Sequence, residues 1–428
     1  MQFENNRDYA ERMDADDVLA GFRQRFAFPS WRKDWSPVYL CGNSLGLQSD
    51  LARQYVEQEL DNWSQYAVDG HFHSERPWWT YHREAAAGFA ALTGSSENEV
   101  IAMNTLTVNL HLLMASFYRP TAERYGIVIE DKAFPSDRYA AASQVRHHGY
   151  DPDDGVLEWR ARDDDGELYI EDLESLLNEQ GHRIALLLLP GVQYYTGQVL
   201  DMARICELGR QHGIPVGLDL AHAIGNVELS LGEWAPDFAC WCTYKYLNAG
   251  PGAIAGAFVP KRHHDAAGEN QLHGWWGNHE RSRFRMAAEF DPAEGAELWQ
   301  MSNPPILSLA PVVASLDLFL EAGFDRLRNK SIQLTGWLEW LVKERFDGRI
   351  ESITPAGAQG AQSSLKVRDP SVDARAVFDA LCERNVTGDW REPDVIRVAP
   401  APMYNSFMDV WELVERLDAI LDELGERA

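Results

Sequence analysis

Solid apolar runs alternate along this chain with stretches in which apolar residues recur every three or four positions. Short runs at 100–103, 126–130, 184–189, 216–220 and 253–259 have the length and composition of strands covered on both faces. A further run, 237–245, starts apolar and ends in a lysine. Helical spacing is predicted over 82–92 (ending at Gly94), 104–114 and 201–212, with a longer helix over 49–66. Strands alternating with helices predict an α/β fold, a mostly parallel sheet with helices on both faces. Such sheets bind ligands beyond the carboxyl ends of their strands.

After Pro304-Pro305 the texture changes. Residues 306–346 read as one long helix or two joined ones. Strands are predicted at 364–367 and 395–398, a helix over 374–385 and a last helix over 408–425. That pattern predicts a smaller α+β domain. Residues 8–27 read as a charged helical arm that packs with it. The expected division is an N-terminal arm and helix over 1–70 packing with the small domain, a large domain over 71–305, and the small C-terminal domain over 306–428.

Composition narrows the function. A chain of 428 residues exceeds the size at which one core usually keeps growing. A net charge of −27 argues against a nucleic-acid partner. The five cysteines show no C-x-x-C spacing and read as buried thiols of a reducing compartment. The N-terminus is polar, without a signal pattern, and no apolar stretch reaches membrane-spanning length. A cytoplasmic protein is expected, with neither membrane nor nucleic acid as partner. His71 and His73 share a loop with Trp78 and Trp79, but no second His or Cys cluster completes a metal site, so no metal is expected.

The candidate chemistry centres on Lys245, flanked by Tyr244 and Tyr246 and followed by Gly250-Pro251-Gly252. A lysine closing a buried strand either snorkels to water or serves as a Schiff-base lysine. Asp219 interrupts an apolar strand one segment earlier, so it is either a structural ion-pair partner or a helix cap, or the partner of a protonated pyridine nitrogen. An Asp on one strand and a Lys near the next is what pyridoxal phosphate needs. His222 stands close enough to support Asp219, or is a packed core histidine. Leu106 and Thr107 at a helix start, with Tyr244, can offer donors to a phosphate. Phe134 can stack on a ring, and Asp137 can meet a ring substituent or His222. Arg397, in an apolar strand, suits a two-bonded grip on a carboxylate or a structural carboxylate partner.

Several segments in order resemble the kynureninase family of aspartate-aminotransferase-like, fold-type-I pyridoxal-phosphate enzymes. They are Gly42-Asn43-Ser44-Leu45-Gly46, Thr107-Val108-Asn109-Leu110-His111, Ala133-Phe134-Pro135-Ser136-Asp137, Gly217-Leu218-Asp219-Leu220-Ala221-His222-Ala223, Trp241-Cys242-Thr243-Tyr244-Lys245-Tyr246-Leu247-Asn248 and Ser302-Asn303-Pro304-Pro305. The resemblance implies that residues 71–305 bind the cofactor. It implies that Lys245 holds it as an imine and later moves protons, with Tyr244 a second catalytic residue. Leu106, Thr107, Phe134, Asp137, Asp219, His222, Tyr244, Trp275 and Asn303 match cofactor positions. Trp275 and Asn303 are expected to reach the neighbouring subunit's site, in a homodimer with shared sites. Arg397 matches the residue holding the substrate α-carboxylate, and Asn43 is counted with the substrate positions. His71, Ser302 and Asn303 resemble the polar set of members that prefer 3-hydroxykynurenine. Pro190 stands at a family position but offers no donor and is assigned nothing. The implied reaction is hydrolysis of L-kynurenine, or its 3-hydroxy form, to L-alanine and anthranilate or 3-hydroxyanthranilate. The alternatives are other fold-type-I enzymes: a cysteine desulfurase would want a mobile loop cysteine, whereas the cysteines near the site, Cys240 and Cys242, fall on the predicted strand, and an aminotransferase would need an amino-acceptor site.

Overall fold

The structure is a computed structural model that describes residues 3–31, 34–265 and 270–425. Its large sheet holds seven strands: β1 (Val100–Ala102), β2 (Gly126–Glu130), β3 (Val156–Trp159), β4 (Ile184–Pro190), β5 (Val216–Asp219), β6 (Phe238–Trp241) and β7 (Gly256–Phe258). They lie in the order β1-β7-β6-β5-β4-β2-β3. All neighbours are parallel except β7, which runs antiparallel to both β1 and β6. The mostly parallel α/β sheet expected from the sequence is what forms.

The apolar runs follow from burial on both faces. Along β4, Leu187 and Leu189 join one hydrophobic cluster, while Leu186 and Leu188 join the other. Successive strand side chains point to opposite faces, so a two-sided strand must be apolar throughout.

The second sheet is antiparallel, with β8 (Ile350–Ser352), β9 (Ser363–Val367), β10 (Asp389–Arg391) and β11 (Val395–Val398) in the order β8-β9-β11-β10. Helices Phe324–Phe346, Ala374–Glu383 and Phe407–Gly425 cover it with their own apolar cluster. The 306–346 stretch resolves into two helices, Ile306–Ala322 and Phe324–Phe346, which bend by 81° at Gly323. Gly323 has φ +77°, a conformation costly for other residues. Ile306–Ala322 packs into the large sheet's cluster and so carries the chain from one core to the other. Among the described residues no single helix is long and apolar enough to cross a membrane.

The N-terminal helix ends earlier than the sequence suggests, at Arg7–Ala15. Asp17 then turns back to accept from Leu19 N at 2.8 Å, and a 3-10 turn (Ala20–Arg25) follows. Asp14 accepts from Phe407 N (2.6 Å) and Met408 N (3.0 Å), the orphan donors of the last helix, and this ties the arm to it. Helix Asp50–Tyr66 starts where predicted, with Ser49 Oγ accepting from Ala52 N at 3.0 Å.

Candidate active site

The lysine does not close a strand. β6 stops at Trp241, and Lys245 lies four residues beyond it, in a tight loop. Thr243 Oγ1 donates to Ile254 O (2.7 Å) and Ala249 N to Thr243 O (3.0 Å), so the loop folds back on itself. Asn248, Gly250 and Gly252 take positive φ there, which turns the chain into the reversed β7. The 42–46 loop clamps it from outside. Gly46 N donates to Tyr244 O at 2.8 Å, and a Cβ on Gly46 would collide with Lys245 O and Asn248. Glycine at 46 is required for this close approach.

Lys245 projects into a cavity of about 230 Å³ at the carboxyl ends of the strands. Leu106, Thr107, Phe134, Asp137, Asp219, His222 and Tyr244 line it, together with Thr105, Glu130, Pro190 and Tyr194. A larger apolar groove of about 1100 Å³ lies between helix Asp50–Tyr66 and the 248–253 loop, but it gathers no comparable set of reactive groups. Chemistry, not size, marks the smaller cavity.

Lys245 Nζ lies 2.9 Å from His222 Nε2 and 6.0 Å from the ring centres of both Phe134 and Tyr244. Burial, reinforced by the charges of Lys245, Arg397 and Arg391, pushes the His222 pKa well down, so the imidazole is neutral. Its Nε2 therefore accepts from Lys245, which leaves the proton on Nδ1, and Nδ1 is buried without a partner.

Asp219 ends β5 and accepts from Ala221 N at 2.7 Å. Asp137 lies within hydrogen-bond reach of it. Two buried carboxyls this close cannot both ionise. Burial and then the Asp219 charge raise the Asp137 pKa strongly. Burial raises that of Asp219 too, but the bonds from Asp137 and Ala221 N and the Lys245 charge oppose the rise. Of the two, Asp137 is pushed further toward the protonated form.

The donor end is the helix Leu106–Phe117. Thr105 at its N-cap makes no side-chain cap bond, so the first-turn N–H groups face the cavity mouth unclaimed by it. Asn109 braces this turn, accepting from Asn104 Nδ2 (2.9 Å) and donating to Met103 O (2.9 Å). Phe134 stands edge-on to Tyr194, ring centres 5.1 Å apart.

Two predicted residues sit behind the Tyr194 wall. Arg397 is fully buried, with Nη1 donating to Tyr194 O at 2.5 Å and Nη2 to Asp389. Asn43 Nδ2 donates to Gln362 Oε1 (3.0 Å), and Gln362 Nε2 in turn reaches Tyr194 O (3.0 Å). Four others are not brought to the cavity within one chain. Ser302 and Asn303 are exposed. Trp275 is 45% exposed and donates to Arg283 O at 3.0 Å. His71 bonds Val68 O (2.9 Å) and packs edge-on to Trp78, centres 5.3 Å apart.

Sequence reasoning missed Glu130 and Tyr194. Glu130 ends the apolar run of β2 as Asp219 ends β5, so the same signal was available. It is 3% exposed, and burial, with the Asp219 charge, raises its pKa from 4.5 to about 8. Asp131 adds to that rise and Arg138 opposes it, while Glu130 itself raises Asp137. The unfolded chain ionises this group first, so native stability falls as pH climbs from 4.5 to about 8 and levels off above. Glu130→Gln is expected to stabilise the ligand-free protein in thermal unfolding, by an amount that grows over that window to a few kcal/mol on the order of magnitude. A gain independent of pH would contradict the assignment.

Comparisons with known proteins identify the lineage of the chain. The family model described as the kynureninase C-terminal domain matches residues 327–417. A kynureninase of Stenotrophomonas maltophilia is 49% identical over 416 residues, which cover 97% of this chain and 98% of that one. A kynureninase of Flavobacterium psychrophilum is 45% identical over 414 residues, covering 96% and 97%. Among solved structures, a cysteine desulfurase of Escherichia coli superposes with a TM-score of 0.74 at 17% identity, covering 95% of this chain and 98% of its own. A mutant of the cystine C–S lyase C-DES, with glycine linked to its PLP cofactor, gives 0.72 at 17% identity, covering 90% and 96%. Identities that low speak for the fold, whereas the full-length relatives decide the lineage. The chain belongs to the kynureninase family.

Proposed function

We propose that this protein hydrolyses the Cβ–Cγ bond of L-kynurenine or 3-hydroxy-L-kynurenine, giving L-alanine and anthranilate or 3-hydroxyanthranilate, with pyridoxal phosphate as cofactor. One observation carries the reading: in a chain of this family, a single cavity joins Lys245 to a paired Asp219 carboxylate and an uncapped helix start. The residues present fit the cofactor. Its aldehyde suits Lys245, its ring nitrogen the Asp219 carboxylate, its ring face Phe134. Its phosphate suits the first-turn N–H groups at Leu106 and Thr107 and the Tyr244 hydroxyl. The buried, unpartnered atoms His222 Nδ1 and Asp137 Oδ1 await polar partners of the kind it offers.

Bound there, the cofactor supplies the electron sink that makes the substrate Cα–H acidic. Lys245 takes the α-proton at Nζ. His222, neutral and in contact with Nζ, keeps that amine placed. Asp219 would keep a proton on the cofactor's ring nitrogen. Arg397 holds the α-carboxylate, with Asn43 supporting the same wall through Gln362. Water adds to the side-chain carbonyl. As the Cβ–Cγ bond breaks, the Tyr244 hydroxyl would give its proton to Cβ and regain one from the added water, and Lys245 would return its proton to Cα.

Trp275 and Asn303, outside the chain's own cavity, serve the neighbouring subunit's site in a homodimer. His71, Ser302 and Asn303 recognise the ring hydroxyl of 3-hydroxykynurenine. The arm and helix of 1–70, the cofactor-binding domain of 71–305 and the small domain of 306–428 act as units that close over the substrate. The protein works in the cytoplasm, on a small molecule, without nucleic acid or membrane. Desulfurase chemistry finds no support, because Cys240 and Cys242 beside the cavity are buried and burial raises both thiols' pKa values.

Fluorescent anthranilate should appear when the holoenzyme meets L-kynurenine. A site that hydrogen-bonds a hydroxyl rejects the analogue lacking it far better than one that merely tolerates it. The expected kcat/KM therefore favours 3-hydroxykynurenine by at least about tenfold, and His71→Phe narrows the gap. Equal wild-type values would refute the hydroxyl-recognition reading.

A further inference from the structure

Behind the Tyr194 wall, Arg397 does not stand alone. β10 and β11 pair antiparallel with Asp389 opposite Arg397. Residues two apart on a strand share a face, so Arg391 stands on the same face as Asp389. Asp389 Oδ2 accepts from Arg397 Nη2 and, at 3.1 Å, from Arg391 Nη2. Both guanidinium carbons lie near the Tyr194 ring, 5.8 Å (Arg397) and 5.9 Å (Arg391) from its centre.

Two features of this cluster are unresolved by its internal bonds. The Nε atoms of both arginines are buried and have no acceptor. The charges also do not cancel: two guanidinium groups face one carboxylate, leaving one positive charge behind Tyr194. That charge is felt inside, since both arginines act on His222. A buried donor without an acceptor is costly, and an incoming carboxylate would offer both an acceptor and the missing negative charge.

We propose that Arg391 is a second carboxylate-recognising residue of the substrate site, held beside Arg397 by their shared Asp389. The inference rests on the reading that Arg397 takes the α-carboxylate. With Asp389 in place, Arg397 by itself would offer an incoming anion no net charge. Arg391 restores the positive charge, and of the two arginines it is the one solvent reaches: its side chain is 33% exposed, against 1% for Arg397.

L-Alanine and ethylamine differ by the carboxylate alone, so the ratio of their Kd values on the holoenzyme measures carboxylate recognition. Both can be followed through the cofactor's visible absorbance. Arg391→Gln is expected to lower the preference for alanine at least about tenfold, by weakening alanine and leaving ethylamine unchanged. Arg391→Lys should recover part of it. With substrate, KM should rise while kcat changes little. Arg397→Gln is the reference. If it leaves the preference intact, the reading of Arg397 fails. If it abolishes the preference while Arg391→Gln does not, that reading stands and the role of Arg391 is overturned. Equal weakening of both ligands by Arg391→Gln would mark a structural effect and also overturn it.

Discussion

Lys245→Ala is expected to remove turnover, with kcat down by at least about 10³-fold, the upper range of what one positioned acid–base group contributes. The protein should still bind pyridoxal phosphate, because the uncapped helix start, Asp219 and the buried polar atoms of the cavity do not depend on the lysine. It should bind it reversibly. Borohydride, which fixes the cofactor to the wild-type chain, should leave it removable by dialysis from the variant. The cavity offers no second amine to substitute. Lys132, the nearest lysine in sequence to the Phe134 loop, donates instead to Asp164 O at 2.9 Å on the surface. Activity near wild type would refute the assignment.

The next largest effect is expected at Asp219. Asp219→Asn keeps shape and burial but removes the charge, and kcat should fall by about 10²–10⁴-fold. The neighbour makes a sharp control. Asp137 is pushed further toward the neutral form than Asp219, so Asp137→Asn removes less charge and should cost far less. Borohydride should still fix the cofactor to Lys245 in both variants, which separates a fault in proton handling from a fault in cofactor tethering. Equal losses at the two positions would contradict the division of charge between them.

Much of this site was legible before any geometry. Asp219 and Lys245 stood out because each breaks an apolar run, and an apolar run broken by charge in a two-sided sheet needs a reason. What sequence could not supply was the loop. Run length suggested that the lysine closed a strand, whereas β6 ends at Trp241 and positive-φ positions at Asn248, Gly250 and Gly252 reverse the chain. The antiparallel sense of β7 follows from that reversal and leaves no trace in hydropathy. Helix Pro135–His147 went unread because its buried face is built of Ala140, Ala141, Gln144 and Val145, a weak apolar stripe, opened by a proline at the first helical position. β10 is three half-buried residues and carries no alternation signal, so Asp389 and Arg391 passed unnoticed beside Arg397. Trp275, Ser302, Asn303 and His71 came from the resemblance alone, and nothing within one chain draws them to the cavity.

The most direct measurement is product stoichiometry. Purified holoenzyme, given L-kynurenine and water as the only reactants, should release one L-alanine for each anthranilate, with neither product formed by Lys245→Ala. A keto acid or its cyclised form in place of the alanine and anthranilate pair, or no consumption of kynurenine or 3-hydroxykynurenine by protein with its cofactor fixed on Lys245, would contradict the account.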